Sequence, residues 1–337
     1  MKTVDWGNLG FGYSKADFNV RSWYVNGRWG ELEVSDSEYI NVHIGATTFH
    51  YGQEAFEGLK AFRGKDGRIR VFRMEENAKR MQRSAQGIMM AEVSIALFTE
   101  AVRKVIKLNE DFVPPYESGA SLYIRPLLIG TGPQIGVKPA SEYLFMVMVM
   151  PVGPYFKEGF KPTDLVIYRE YDRAAPLGTG KIKVGGNYAA SLVAGDRAHQ
   201  NGFSSVLYLD AREKRYIDEC GPANFFGIKG NSYVTPKSDS ILPSITNMSL
   251  RQLAKDMGMN VEERQIAVEE LAGFDEVGAC GTAAVISPVK RIFDADKNTE
   301  YFYGNDPGKV SVQLYEKLRA IQYGIEPDPY NWTEIIE

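Results

Sequence analysis

Gly178-Thr-Gly-Lys-Ile-Lys-Val-Gly-Gly-Asn-Tyr188 is the stretch on which the reading turns. Four glycines fall between positions 178 and 186, which lets the backbone approach a neighbour closely or adopt positive φ. Lys181 and Lys183 alternate with other residues, so in an extended chain both would point to one face. A solvated surface lysine is the ordinary outcome for either. In an apolar pocket, desolvation would lower the ammonium pKa and make the amine a nucleophile able to form a Schiff base. Spacing does not say which of the two would take that part.

Around this segment the chain reads as two domains. Residues 1–150 are α+β, with a strand ending at Val71-Phe72. A helix follows over 77–90, with Met81, Ala85 and Ile88 on one face, then a second over 94–108 and strands over 120–130 and 142–152. Five of the twelve residues from Pro151 to Pro162 are Pro or Gly, and 151–162 is taken as the interdomain loop. Residues 163–337 then form a larger C-terminal domain. Strands are expected over 165–168, 204–209 and 224–228, and helices over 188–199, closed by Asn201-Gly202, and 245–257.

The 337 residues, 44% hydrophobic and 24% charged, suffice for two cores. A formal net charge of -4 disfavours nucleic acid as a main partner. Two cysteines, Cys220 and Cys280, are too few for a disulfide framework, and three scattered histidines give no metal motif. The most apolar window, 143–152, is too short for a membrane helix and reads as a buried strand. No secretory signal opens the chain, so a soluble, cytoplasmic protein with no membrane partner is expected.

Three further constellations carry chemistry. Ser244-Ile-Thr246 opens a helix, with Thr246 as a good N-cap or, alternatively, as part of a phosphate site at the helix N-terminus. Arg80 could add a fork to the same anion. In Tyr123-Ile-Arg125, Tyr123 and Arg125 share one strand face while Leu122 and Ile124 pack the other. An arginine there needs an anion, either a structural carboxylate or that of a substrate. Asp218-Glu219 reads as a surface turn, or as a carboxylate able to keep a pyridine nitrogen protonated.

In this order the segments resemble the branched-chain amino acid aminotransferases of fold type IV, which depend on pyridoxal 5′-phosphate. The matching stretches are 50–58 (HYGQEAFEG), 123–127 (YIRPL), 151–156 (PVGPYF), 183–188 (KVGGNY), 242–246 (LPSIT), 281–283 (GTA) and 321–324 (IQYG). The resemblance implies a smaller N-terminal α/β domain and a larger C-terminal mixed-sheet domain. It also implies a homodimer with shared active sites and an exchange of amino groups between L-leucine, L-isoleucine or L-valine and 2-oxoglutarate, yielding L-glutamate. Lys183, not Lys181, resembles the lysine that binds the cofactor covalently. Tyr188 matches the tyrosine at its phenolic oxygen, Glu219 the carboxylate at its ring nitrogen and Leu242 the residue packed on the ring. Arg80, Ile245, Thr246 and Thr282 match the phosphate cradle. Tyr51, Phe56, Tyr123, Arg125 and the Thr282-Ala283 amides match the substrate pocket. Ile135 and Val137 match positions reaching the neighbouring subunit's site, and Tyr155 falls on the interdomain loop. Ala284 and Ser287 replace the Cys-x-x-Cys of animal relatives, so no thiol switch is expected. Pro222 replaces a threonine found in some relatives near the cofactor. The D-amino acid aminotransferases and aminodeoxychorismate lyases of the same fold fit the whole set less well, as does a protein that merely binds vitamin B6.

Overall fold

The computed structural model describes residues 4–153 and 160–337. It divides into two compact units, one of Met1–Tyr155, Ile182–Gly185 and Ala320–Glu337, the other of Phe156–Lys181 and Gly186–Arg319. The run expected as one C-terminal domain is thus interrupted twice. The return of the C-terminus has a physical reason. All four residues of the strand Ile69–Phe72 are buried, and the C-terminal strand Thr333–Ile336 pairs along its open edge, from Thr333↔Phe72 to Ile336↔Ile69.

The first unit is a nine-stranded sheet in which every pairing is antiparallel. Its centre is the pair Ser121–Gly130 and Tyr143–Val152, in register from Ser121↔Val152 to Gly130↔Tyr143. Period-two alternation sends Leu122 and Ile124 into the core with Phe145 and Val147, where the helices Met74–Gly87 and Ile95–Leu108 contribute Met81, Ala85, Phe98 and Val102. The first helix begins earlier than its apolar face suggests, with Glu75 and Glu76 in its first turn complementing the dipole. It also ends earlier, leaving Ile88 as C-cap rather than on the face. Ser94 caps the second helix, accepting from the Leu97 N–H at 3.1 Å.

The second unit holds a mixed sheet. The strands Ile217–Cys220, Ser205–Leu209, Thr163–Ile167, Val285–Asp294, Glu276–Gly281 and Ala223–Lys229 follow one another, and pairing of the last with the first closes them into a ring. Thr163–Ile167 runs parallel to both neighbours, and the remaining pairings in the ring are antiparallel. The helix expected over 188–199 is two pieces, Gly185–Ala189 and Leu192–Gln200, with the Ser191 hydroxyl donating to the Tyr188 carbonyl at the break. Such back-bonding competes with the helical ladder. No helix among the described residues is long and apolar enough to cross a membrane.

Candidate active site

In the first unit, the Lys183 backbone is held from both sides. Its N–H donates to Ser84 Oγ at 2.9 Å and its carbonyl accepts from the Phe56 N–H at 3.1 Å. The Lys183 Nζ lies 4.5 Å from the centroid of the Phe56 ring, and the Arg125 guanidinium carbon lies 4.8 Å from the same centroid. Two cations around one aromatic ring mark a place that favours an anionic or electron-rich guest. Arg125 also donates to Tyr123 Oη at 2.9 Å, while its buried Nε has no hydrogen-bond partner among the described residues. A buried, unsatisfied guanidinium donor costs about 1–3 kcal/mol unless a ligand fills it.

Two glycines let side chains of this cluster approach the backbone closely. A Cβ on Gly58 would sit 2.3 Å from Tyr123 Oη, and one on Gly185 would sit 1.8 Å from Glu54 Oε1.

Arg80 lies on the helix Met74–Gly87 with its fork turned onto Glu57. Nε donates to Oε1 at 2.7 Å and Nη2 to Oε2 at 2.8 Å. Asn77 Nδ2 at 2.8 Å and the Gly58 N–H at 3.2 Å also donate to Oε2. Glu57 is fully buried, so these four donors replace the water it loses.

Lys181 is elsewhere. It makes an exposed ion pair with Asp239 at 2.7 Å, and residues 178–181 form a turn, so the two lysines do not share the face that an extended chain would give them. Gly180 explains the turn, since a Cβ there would come within 2.6 Å of the Ser240 Cα.

Tyr51 is part-exposed and its hydroxyl donates to the Ile135 carbonyl. Ile135 and Val137, in the loop after Ser121–Gly130, are 69% and 85% exposed. Tyr155 lies outside the described residues.

In the second unit, Asp218 and Glu219 are not a surface turn. Both lie in the strand Ile217–Cys220 and are 2% exposed. Glu219 Oε1 accepts from Asn224 Nδ2 at 2.7 Å and from the Leu242 N–H at 2.9 Å, and Oε2 lies 2.9 Å from Arg173 Nε. Asn247 Nδ2 donates to Asn224 Oδ1 at 3.2 Å, continuing the network into the helix Ile245–Asp256. Asp218 accepts from Ser238 Oγ at 2.7 Å, and burial pushes its carboxyl above the usual range against the pull of the serine hydroxyls.

The N-cap of the helix Ile245–Asp256 is Ser244 rather than Thr246: Ser244 Oγ accepts from the Asn247 N–H at 3.2 Å. Ile245 and Thr246 are buried in the first turn, where the backbone N–H groups have no intrahelical acceptor. Thr282 and Ala283 form the turn between Glu276–Gly281 and Val285–Asp294, which ends at Val285 with φ of +67°. A β-branched residue in that region is strained, as turns at functional sites often are. Tyr188 is half-buried on the short helix Gly185–Ala189, and Pro222 is exposed in the turn joining Cys220 to Ala223.

Four contributors escaped the sequence reading: Glu57, Arg173, Asn224 and Asn247. Asn224 carried a usable signal, a lone amide in the apolar run 223–228 that had to find a partner. Arg173 carried none.

The family model for class IV amino-transferases matches residues 54–292. The chain belongs to the class IV aminotransferases. Within that family it belongs with the branched-chain-amino-acid aminotransferases. It is 46% identical to that of Haemophilus influenzae with full coverage of both chains, and 48% identical to that of Helicobacter pylori over 98% of each. Its fold is that of the Escherichia coli branched-chain amino acid aminotransferase, with a TM-score of 0.79 at 28% identity, covering 96% of this chain and 100% of that one. The branched-chain amino acid aminotransferase of T.th., solved with pyridoxamine 5′-phosphate, gives 0.80 at 26% identity, covering 96% and 99%.

Proposed function

We propose that the protein moves the amino group reversibly between L-leucine, L-isoleucine or L-valine and 2-oxoglutarate, giving the branched-chain 2-oxo acid and L-glutamate. Its cofactor would be pyridoxal 5′-phosphate on Lys183. The observation that carries the reading is Lys183 and Arg125 set against one aromatic ring, that of Phe56, with a buried Arg125 donor that has no hydrogen-bond partner among the described residues. The relatives support the substrate class by name, and one structure of the T.th. protein holds an N-(5′-phosphopyridoxyl)-L-glutamate.

The residues present fit the cofactor chemically. Glu219 is buried against Arg173 and two N–H donors, which favour the anion that a protonated pyridine nitrogen requires. The first-turn N–H groups of Ile245 and Thr246, together with Arg80 and Thr282, are the donor types a phosphate monoester takes. Leu242 would pack on the ring and Tyr188 would donate to its phenolic oxygen. When bound, the cofactor supplies an electron sink for the substrate's α-carbon.

The chain's own groups do the rest. The Lys183 amine takes the proton from the substrate's α-carbon as base and, as acid, would deliver it to the cofactor's C4′ carbon. Glu219 keeps the ring nitrogen protonated. Arg125, with Tyr123 Oη, binds the γ-carboxylate of glutamate, while Phe56, Tyr51 and Tyr123 enclose an aliphatic side chain. The Thr282-Ala283 amides bind the α-carboxylate. The product of each half-reaction leaves before the next substrate enters, a ping-pong scheme. Ile135 and Val137, largely exposed, would be covered in a homodimer and complete the neighbouring subunit's site, and Tyr155 would lie on the interdomain loop.

The test is the visible spectrum of the protein loaded with pyridoxal phosphate. A band from the lysine-bound cofactor that L-leucine abolishes and 2-oxoglutarate restores, with D-alanine inert and Lys183→Ala lacking it, is the expected result. A response to D-alanine alone would replace the reading with a D-specific one, and no band in the wild type would end it.

A further inference from the structure

We propose that Arg173 is a positioning residue for this transamination, holding Glu219 as an anion and fixing the backbone on both sides of it. The inference rests on the reading of Glu219 as partner of the pyridine nitrogen. Arg173 lies in the irregular segment after the strand Thr163–Ile167, yet it is only 7% exposed. A guanidinium does not give up its proton in a protein, so at that depth it must be compensated.

The compensation it finds joins three separate stretches of chain. Nε lies 2.9 Å from Glu219 Oε2, an ion-pair approach in which its N–H makes no hydrogen bond among the described residues, and Nη2 donates to the Gly180 carbonyl at 2.9 Å and to the Ser240 carbonyl. Gly180 precedes Lys183 by three positions. Ser240 lies two before Leu242, whose N–H binds Glu219, and leads into the Ser244 cap. Gly180 and Ser240 are themselves in backbone contact close enough to exclude a Cβ. One side chain therefore ties the approach to Lys183, the carboxylate and the lead-in to the helix Ile245–Asp256.

The electrostatic part follows from burial. A carboxylate 2% exposed would take up a proton as desolvation raises its pKa, and could then no longer hold one on a ring nitrogen. Cys220, Cys280 and Asp218, which lie beside Glu219, supply no countercharge, and Arg251 acts on Cys280 and Tyr233. Cys220 and Cys280 are buried thiols pushed well up by desolvation and stay neutral, and Asp218 is an acid turned to Ser238. Arg173 is the cation that pairs with it.

The test compares the wild type with Arg173→Met, Arg173→Lys and Glu219→Gln, each loaded with pyridoxal phosphate labelled with 15N in the ring. The nitrogen chemical shift reports its protonation directly, and equilibrium dialysis gives cofactor affinity. The expected result is a protonated nitrogen in the wild type and Arg173→Lys and an unprotonated one in Arg173→Met and Glu219→Gln. In Arg173→Met, kcat should fall about 100-fold while KM for L-leucine changes less than about threefold, since Arg173 does not touch substrate. Arg173→Lys, which keeps the charge but not the fork to both carbonyls, should bind the cofactor about tenfold more weakly.

If Glu219→Gln leaves the nitrogen protonated, the reading of Glu219 itself falls. If Glu219→Gln deprotonates it and Arg173→Met does not, the reading of Glu219 stands and the electrostatic part of the inference is overturned. Should Arg173→Met fail to fold, Arg173→Lys decides: wild-type cofactor affinity and an unchanged pH profile would refute the positioning role.

Discussion

Replacing Glu57 by glutamine tests whether the buried pair with Arg80 is a structural strut of the first unit. Both side chains are out of water, 0% and 6% exposed, and the carboxylate receives four hydrogen bonds, two from the guanidinium fork. Glutamine has nearly the same shape but offers one acceptor and one donor. Whichever way the amide is placed, its NH2 faces an N–H donor, and Arg80 is left as a buried charge without its counterion. Removing one partner of such a pair costs about 3–5 kcal/mol. The double variant Glu57→Gln/Arg80→Met leaves no lone charge, so it should cost less than the sum of the singles, with a coupling on the order of 2–3 kcal/mol.

The assay is urea unfolding of the protein without cofactor, followed by tryptophan fluorescence. All four tryptophans (Trp6, Trp23, Trp29 and Trp332) belong to the first unit, so the signal reports its unfolding alone. A loss under about 1 kcal/mol for Glu57→Gln, the size of an exposed pair, would refute the reasoning, as would strictly additive singles. Cofactor affinity measured on the same variants bears on a different point, the role of Arg80 toward phosphate, and should fall in Glu57→Gln because the guanidinium is no longer held.

Arg125→Gln should lower kcat/KM for L-glutamate by about 100-fold and for L-leucine by much less, because only glutamate needs a cation for its side chain; equal losses would remove that role. Gly58→Ala places a methyl within 2.3 Å of Tyr123 Oη, so the hydroxyl must shift and its bond from Arg125 is disturbed. Steady-state kinetics should show the same bias against glutamate, and wild-type kinetics would mean that the hydroxyl does not orient Arg125. Burial raises the Glu54 carboxyl above its ordinary 4.5, so the folded protein holds a proton there that the unfolded chain has lost. Stability from this group is therefore full below about pH 4 and declines as pH rises through the raised value. Glu54→Gln should unfold at higher urea than the wild type at pH 7 and at the same urea near pH 4; a difference of the same size at both would contradict the shift.

What the sequence made legible and what it hid differ by the range of the interaction. Alternation along 121–130 announced that Leu122 and Ile124 face inward and Tyr123 and Arg125 together face away, because a strand's period is a property of neighbours. The start of the helix at 245 was legible for the same reason. Its cap was not, since Ser244 and Thr246 are both competent and only the burial of Ile245 and Thr246 in the first turn decides for Ser244. The extended reading of 178–183 failed because Gly180 is pressed against Ser240, a contact no local pattern encodes. Glu57 with Arg80, and Arg173 with Glu219, belong to the same hidden class. Each is a charge that by itself would be assigned to the surface, and each is tolerable inside only because its partner arrives from a distant part of the chain. A composition that keeps charges outside is thus a good guide to the core and a poor one to a site such as this. The pairing of these buried ions is written in the tertiary fold alone.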